Sequence, residues 1–140
     1  MPSYSFLNDP DADQVRQITA LYRAEGWWDG GDEDAGVVGR IVSGSYCFAI
    51  AVDEGEIVGM GRAISDGVSD AYIQDVAVRD SLRGKGIGSR LIRELAGRLE
   101  RDGMNWIGLI AERGSSGFYS RLGFEVMPDS APMVKKTPWR

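Results

Sequence analysis

Leu82-Arg83-Gly84-Lys85-Gly86-Ile87-Gly88-Ser89 sets three alternating glycines between a stretch that reads as a strand and one that reads as an amphipathic helix. Upstream, Ala71-Tyr72-Ile73-Gln74-Asp75-Val76-Ala77-Val78 is largely apolar with β-branched residues; downstream, Ile87, Leu91, Ile92, Leu95 and Leu99 recur at helical spacing up to about Arg101. The order is strand, glycine loop, helix. At the first turn of a helix the backbone N–H groups lack intrahelical partners and carry partial positive charge, which makes the junction a place for phosphate oxygens. Glycine lets the backbone approach closely. Arg83 and Lys85 add positive charge at the rim, and the Ser89 hydroxyl supplies one more donor.

Two common phosphate motifs do not fit. The dinucleotide pattern G-x-G-x-x-G fails because Gly84-Lys85-Gly86-Ile87-Gly88-Ser89 brings its third glycine one residue early, and no Gly-Lys pair is followed by Ser or Thr at P-loop spacing. Arg-x-x-Gly-x-Gly does fit, as Arg83, Gly86 and Gly88, and it resembles the acyl-coenzyme A pyrophosphate loop of the GNAT superfamily of N-acetyltransferases. Val76-Ala77-Val78 stands where that family has the strand end before the loop, and Gly117-Phe118-Tyr119-Ser120-Arg121-Leu122-Gly123-Phe124 resembles its later F-Y-x-x-x-G-F segment. Together these cover roughly Tyr72 to Phe124.

The rest of the composition bounds the function. At 140 residues and 43% hydrophobic content the chain is long enough for one domain with a real core, spanning 1–140. No apolar run approaches the ~20 residues that span a bilayer, and the opening Met1-Pro2-Ser3-Tyr4 lacks the basic and apolar regions of a signal peptide, so a cytoplasmic protein with no membrane partner is expected. The lone Cys47, among Tyr46, Phe48 and Ile50, reads as a small buried hydrophobe. With no histidine, histidine bases, histidine triads and the usual zinc-hydrolase ligand sets are excluded. A net charge of −5 with no basic run argues against nucleic acid. A homodimer stays open.

Along the chain, Tyr4 to Leu7 reads as a short strand, and Asn8-Asp9-Pro10-Asp11 breaks it and offers caps for a helix from about Asp13 to Ala24. A loop with Trp27 and Trp28 leads to a helix from about Glu33 to Val42. Tyr46 to Val52 and Ile57 to Ile64 form a hairpin through Asp53-Glu54-Gly55-Glu56, and Ala71 to Val78 is the next strand. Asn105 to Ala111 reads as a fifth strand, parallel to that one by a right-handed crossover. A short helix, about Ser116 to Leu122, precedes a last hairpin of Phe124-Glu125-Val126 with Met133-Val134-Lys135-Lys136. The expected fold is α/β: a single mixed sheet, mostly antiparallel with a parallel pair at the cofactor site, flanked by helices. The resemblance implies the same GNAT-like acyltransferase fold.

The resemblance also implies acetyl-CoA as co-substrate, without a metal. The backbone of Val76, Ala77 and Val78 is then expected to pair with the pantetheine arm, and the amides of Arg83, Gly84, Lys85, Gly86, Ile87, Gly88 and Ser89 to hold the pyrophosphate. Tyr119 takes the catalytic role, its phenol protonated at pH 7 and able to give a proton to the departing thiolate. Tyr72 and Gln74, two apart on one strand face, and Trp27 and Trp28, followed by Asp29, Asp32, Glu33 and Asp34, are the substrate-binding candidates. For the tryptophans an equal reading is that one packs in the core and the other covers a helix end. Asp75, expected on the opposite face of a regular strand, and Glu112 are weak candidates for a base; surface solvation or an ion pair is the plainer role of each. The reading is an N-acetyltransferase acting on a primary amine of a small molecule or peptide by direct attack; the alternative is an acyl-CoA-binding regulatory module without catalysis.

Overall fold

The computed structural model describes residues 1–28 and 35–137. Asp29, Asp32, Glu33 and Asp34, and with them the expected start of the second helix, lie outside the described residues. The chain groups into two compact units, Met1–Leu109 and Ile110–Arg140.

The first unit carries the sheet. Its elements are β1 (Ser3–Phe6), α1 (Ala12–Ala24), α2 (Ala35–Gly44), β2 (Cys47–Asp53), β3 (Glu56–Ser65), β4 (Asp70–Val78), a 3₁₀ turn at Asp80–Leu82, α3 (Ile87–Arg101) and β5 (Trp106–Gly108). The strands lie in sequence order, antiparallel except for the parallel pair β4–β5. Asp11 starts α1 with a capping box, accepting from the Gln14 amide while Gln14 returns the bond to the Asp11 N–H, an arrangement worth about 1 kcal/mol.

Side-chain size separates the two faces of the sheet. The paired residues Cys47/Ala63, Ala49/Gly61 and Ala51/Gly59 share one face and are all small, whereas Ile50/Met60 and Phe48/Arg62 share the other. The small face receives α3, whose Ile87, Leu91, Ile92, Leu95 and Leu99 are buried. The fit is tight: a Cβ at Gly61 would stand 3.0 Å from Leu95 Cδ1, and one at Gly59 would stand 3.0 Å from Leu91 Cδ1. Phe48, Ile50 and Met60 instead join Ile18, Leu21 and Tyr22 of α1 and Val38 and Val42 of α2 in one apolar cluster. Helices therefore cover both faces, as the sequence led us to expect.

One irregularity governs β4. Between the pairs Arg62↔Gln74 and Met60↔Ala77 the register shifts, so Gly61 opposes both Asp75 and Val76, and Asp75 takes φ +57°. This is a β-bulge, and it reverses the alternation of the strand. Before it, Ala71 and Ile73 are buried while Tyr72 and Gln74 are exposed. Beyond it, Ala77 belongs to the α1–α2 side. The expectation that Asp75 points away from Tyr72 and Gln74 assumed a regular strand and is corrected: its carboxylate accepts from Tyr22 Oη at 2.8 Å and Arg62 Nε at 2.6 Å, on the face that Gln74 shares with Arg62.

β5 is shorter than its apolar sequence. It meets β4 only at Asp70↔Trp106, Ala71↔Ile107 and Tyr72↔Gly108, and the pairing ends before the bulge is reached.

The second unit contains α4 (Ser116–Ser120), after which Gly123 turns the chain at φ +96°. The hairpin expected from Phe124 to Lys136 is absent among the described residues, and Val126, Met133 and Val134 are exposed. Pro128 and Pro132 cannot donate to a ladder, and an isolated two-stranded hairpin is marginal in water.

Candidate active site

The loop after β4 is shaped by backbone conformation. Gly84 and Gly86 take φ +80° and +85°, and a Cβ at either would meet nothing within 4 Å. Glycine is there for the left-handed turn, since the space a Cβ would take is empty at both positions. Gly86 caps α3 without a side-chain hydrogen bond, the first turn holds no acid, and Gly86 O accepts from Arg90 N at 3.0 Å. The amides of Ile87, Gly88 and Ser89 precede that first helical bond. Ile87 buries its side chain under the loop, Gly88 and Ser89 are half-buried, and Gly84, Lys85 and Gly86 are exposed.

Arg83 is not free at the rim. Its Nη2 lies 2.5 Å from Glu25 Oε1 and 3.1 Å from Asp80 Oδ1, and Nε donates to Val78 O at 3.3 Å. Glu25 is the residue that ends α1, so this arginine ties that helix to the loop.

Beside the loop, β4 has an open edge. Arg79 N donates to Val58 O of β3. By antiparallel alternation Ala77 also turns its N–H and C=O toward β3, which leaves those of Val76 and Val78 on the far edge. No described strand pairs with β4 past Tyr72 on that side. The open edge therefore runs directly into the glycine loop, and within Val76–Val78 the middle residue turns its polar groups away from it.

At the other end of this edge stand Tyr72, with 46% of its surface exposed, and Gln74. Next to them the Asp75 carboxylate is held by Arg62 and Tyr22, an arrangement that marks an ion pair more than a base. The Tyr22 hydroxyl is pushed above its ordinary pKa by burial first and by the Asp75 charge second. Trp28 stacks on the Tyr22 ring, centroids 4.5 Å apart and planes within 5°, and packs against the apolar cluster. Trp27 meets the same ring edge-on at 5.9 Å and keeps 37% of its surface exposed. Trp28 is thus a packed residue, and Trp27 an exposed one beside it. Residues such as Tyr22, Arg62 and Glu25 gave no motif; Tyr22 reads from sequence only as a core position of α1.

In the second unit, Tyr119 sits in an edge-to-face stack with Phe118 at 4.9 Å and Phe124 at 6.0 Å, and Phe124 N donates to Tyr119 O. Burial, and then the nearby Glu112 charge, raise its phenol above the ordinary value. Cys47 is likewise raised by burial, to about 11. Among the described residues no cluster of acids or thiols is arranged to hold a metal, and no helix is long and apolar enough to cross a membrane.

A bulged β4, whose pairing with its parallel neighbour ends at Tyr72, leads into a glycine-rich helix start that no side chain caps. The family model for the acetyltransferase (GNAT) domain matches residues 44–126, and the chain belongs to that family. Over 76 residues it is 40% identical to serotonin N-acetyltransferase 2, chloroplastic, of Oryza sativa subsp. japonica, a match covering 54% of this chain and 38% of that protein. The chain thus matches well under half the length of such relatives. Among solved structures, a GNAT family acetyltransferase from Streptococcus pneumoniae TIGR4 superposes with a TM-score of 0.81 at 26% identity, covering 99% of both chains. An aminoglycoside 6'-N-acetyltransferase complexed with coenzyme A gives a TM-score of 0.75 at 21% identity over 91% of this chain and 89% of its own.

Proposed function

We propose that this chain is an N-acetyltransferase, acting as one domain, that moves an acetyl group from acetyl-CoA to a primary amine by direct attack. The observation that carries this reading is the open edge at Val76 and Val78 continuing into the uncapped first turn of α3. An extended amide-bearing arm fits such an edge, and a pyrophosphate fits the donors and partial positive charge at the helix start. Lys85 adds a cation at that rim, and Arg83 does so on exchanging a carboxylate for phosphate.

When bound, acetyl-CoA supplies a thioester carbonyl as the acyl donor. Tyr72 and Gln74 border the end of the open edge and orient the acceptor there. The neutral amine nitrogen bonds to the carbonyl carbon as the bond to sulfur breaks, Tyr119 gives its phenolic proton to that sulfur, and the proton shed by the amine nitrogen passes through solvent to restore the phenol. An ordinary phenol is already protonated at neutral pH, and burial raises its pKa further, so Tyr119 is in its acid form. The relatives' names include serotonin and aminoglycoside acetyltransferases, which supports an amine acceptor.

The experiment is a calorimetric titration with acetyl-CoA beside a thiol-release assay over amines, polyamines, amino acids and peptides. Wild-type protein should bind, and release coenzyme A only with an acceptor. Gly88→Val should bind far more weakly while remaining folded. Binding without acceptor-dependent thiol release would mark a regulatory acyl-CoA module instead.

A further inference from the structure

Among the described residues, Asp75 is the one non-glycine residue inside a strand with a positive φ, +57°; Glu54, Arg113 and Asp129, the others with that conformation, stand in turns. Such a backbone costs about 1 kcal/mol or more and persists only where its surroundings fix it. Here two side chains fix it from different elements. One carboxylate oxygen, Asp75 Oδ2, accepts from Tyr22 Oη of α1 at 2.8 Å and from Arg62 Nε of β3 at 2.6 Å. Both donors are themselves held. Tyr22 is buried with its ring stacked on Trp28, and the Arg62 side chain is only 17% exposed. Arg62 Nη1 lies 3.4 Å from Ser45 Oγ, which donates to Ile41 O of α2 at 2.6 Å. The bulge is thus clamped to β3, α1 and the end of α2.

What the clamp holds is the direction of main-chain groups. With the bulge in place Ala77 stands opposite Met60 and turns its N–H and C=O toward β3, so those of Val76 and Val78 face the open edge. Were the bulge closed by sliding β4 one residue, with Gln74 still opposite Arg62, Val76 would stand opposite Met60 and turn inward, and the edge would present Ala77 in its place. An arm that pairs with Val76 and Val78 would lose its partners, whereas the amides of the glycine loop, which lie outside the ladder, would remain. We propose that Arg62 and Tyr22 are positioning residues for the acyl donor: through Asp75 they hold the bulge, and the bulge sets Val76 and Val78 toward the amide-bearing arm of acetyl-CoA.

This inference rests on the acyl-CoA-binding part of the N-acetyltransferase reading, and its test compares two ligands that share the pyrophosphate. Coenzyme A carries the arm, and 3′-phosphoadenosine 5′-diphosphate lacks it. Calorimetric affinities for both are measured on the full chain, beside melting temperatures, in wild type, Arg62→Met, Tyr22→Phe and Asp75→Asn. Wild type should prefer coenzyme A. In Arg62→Met that preference should fall about tenfold, equivalent to about 1.4 kcal/mol and on the scale of one or two main-chain hydrogen bonds, while affinity for the fragment changes by less than about threefold. Tyr22→Phe, which keeps the ring on Trp28, should lower the preference about threefold, and it decides the matter if Arg62→Met does not fold. Asp75→Asn keeps an acceptor and tolerates a positive φ, so most of the preference should survive. A general loosening would instead lower stability and weaken both ligands together. That outcome, or a preference unchanged in the folded variants, overturns the positioning role and leaves the transferase reading intact. A wild type that binds coenzyme A no better than the fragment removes the pairing at Val76 and Val78, and both readings fall with it.

Discussion

Gly61, like Gly59, lies where the sheet and α3 approach closely, and replacing it with alanine measures how tightly that layer is set. A Cβ at this position falls 3.0 Å from Leu95 Cδ1 and 3.2 Å from Val76 Cγ2, both inside ordinary contact distance, and Leu95 is fully buried. Two effects oppose each other. Removing a glycine from a strand interior recovers about 0.5–1 kcal/mol of unfolded-chain entropy. Forcing an extra methyl into a packed core costs about 1–3 kcal/mol. Overpacking wins, for an expected net loss of about 0.5–2 kcal/mol, or a fall in melting temperature of about 2–8 °C. Urea denaturation followed by tryptophan fluorescence reads it. If the clash with Leu95 is the cause, shortening Leu95 relieves it, so Gly61→Ala should cost less in a Leu95→Ala background, with a coupling of about 1 kcal/mol. Gly61→Ala at or above wild-type stability, or strictly additive costs, would refute the argument that small residues on β2 and β3 exist to seat α3.

Tyr119→Phe should leave acetyl-CoA affinity unchanged and lower turnover about 10²- to 10⁴-fold, since it deletes a proton donor and keeps the ring between Phe118 and Phe124; steady-state kinetics with a titration alongside checks both halves. Tyr22 has its pKa raised by burial and by Asp75, so its contribution to stability is fully present below the unfolded value of about 10 and is lost as the pH climbs above it. Denaturation midpoints between pH 9 and 11 should fall in wild type and fall less steeply in Tyr22→Phe. Glu25→Gln removes a carboxylate that competes for Arg83, and because the pair is partly exposed, acetyl-CoA should bind more tightly by only up to about fivefold; weaker binding by calorimetry would show that Glu25 instead holds Arg83 in its phosphate-binding position.

The sequence exposed α3 most clearly because its apolar residues repeat at helical spacing and all five are buried. The hairpin of β2 and β3 and the parallel placement of β5 were equally legible, through turn chemistry and crossover handedness. What stayed hidden depends on register or on distant partners. Nothing local in Ala71 to Val78 announces that Asp75 is an extra residue opposite Gly61, and the pairing of Arg83 with Glu25 joins residues far apart in the chain. Trp106 reads as one more apolar strand residue until Gly108 is seen to lie beneath its ring. The last hairpin failed for a simpler reason: Pro128 and Pro132 interrupt this stretch and cannot donate to a ladder.

The bulge at Asp75 means that β4 is written in two reading frames. Residues 71–74 place their odd-numbered side chains toward α3, and from the bulge onward the even-numbered Val76 takes that place, within reach of Gly61. The chain is consequently more sensitive to length here than to identity. Deleting one residue before the bulge, with the Val76–Val78 half held in register, would either remove the bulge or turn Tyr72 and Gln74 inward and Ala71 and Ile73 into water. Substitution at position 75 must keep both the positive φ and an acceptor for Arg62 and Tyr22: asparagine meets both needs, glycine keeps only the turn, and a β-branched residue costs about 1–2 kcal/mol in backbone strain besides losing the acceptor. Related chains that keep this architecture should therefore align through residues 71–78 without a gap.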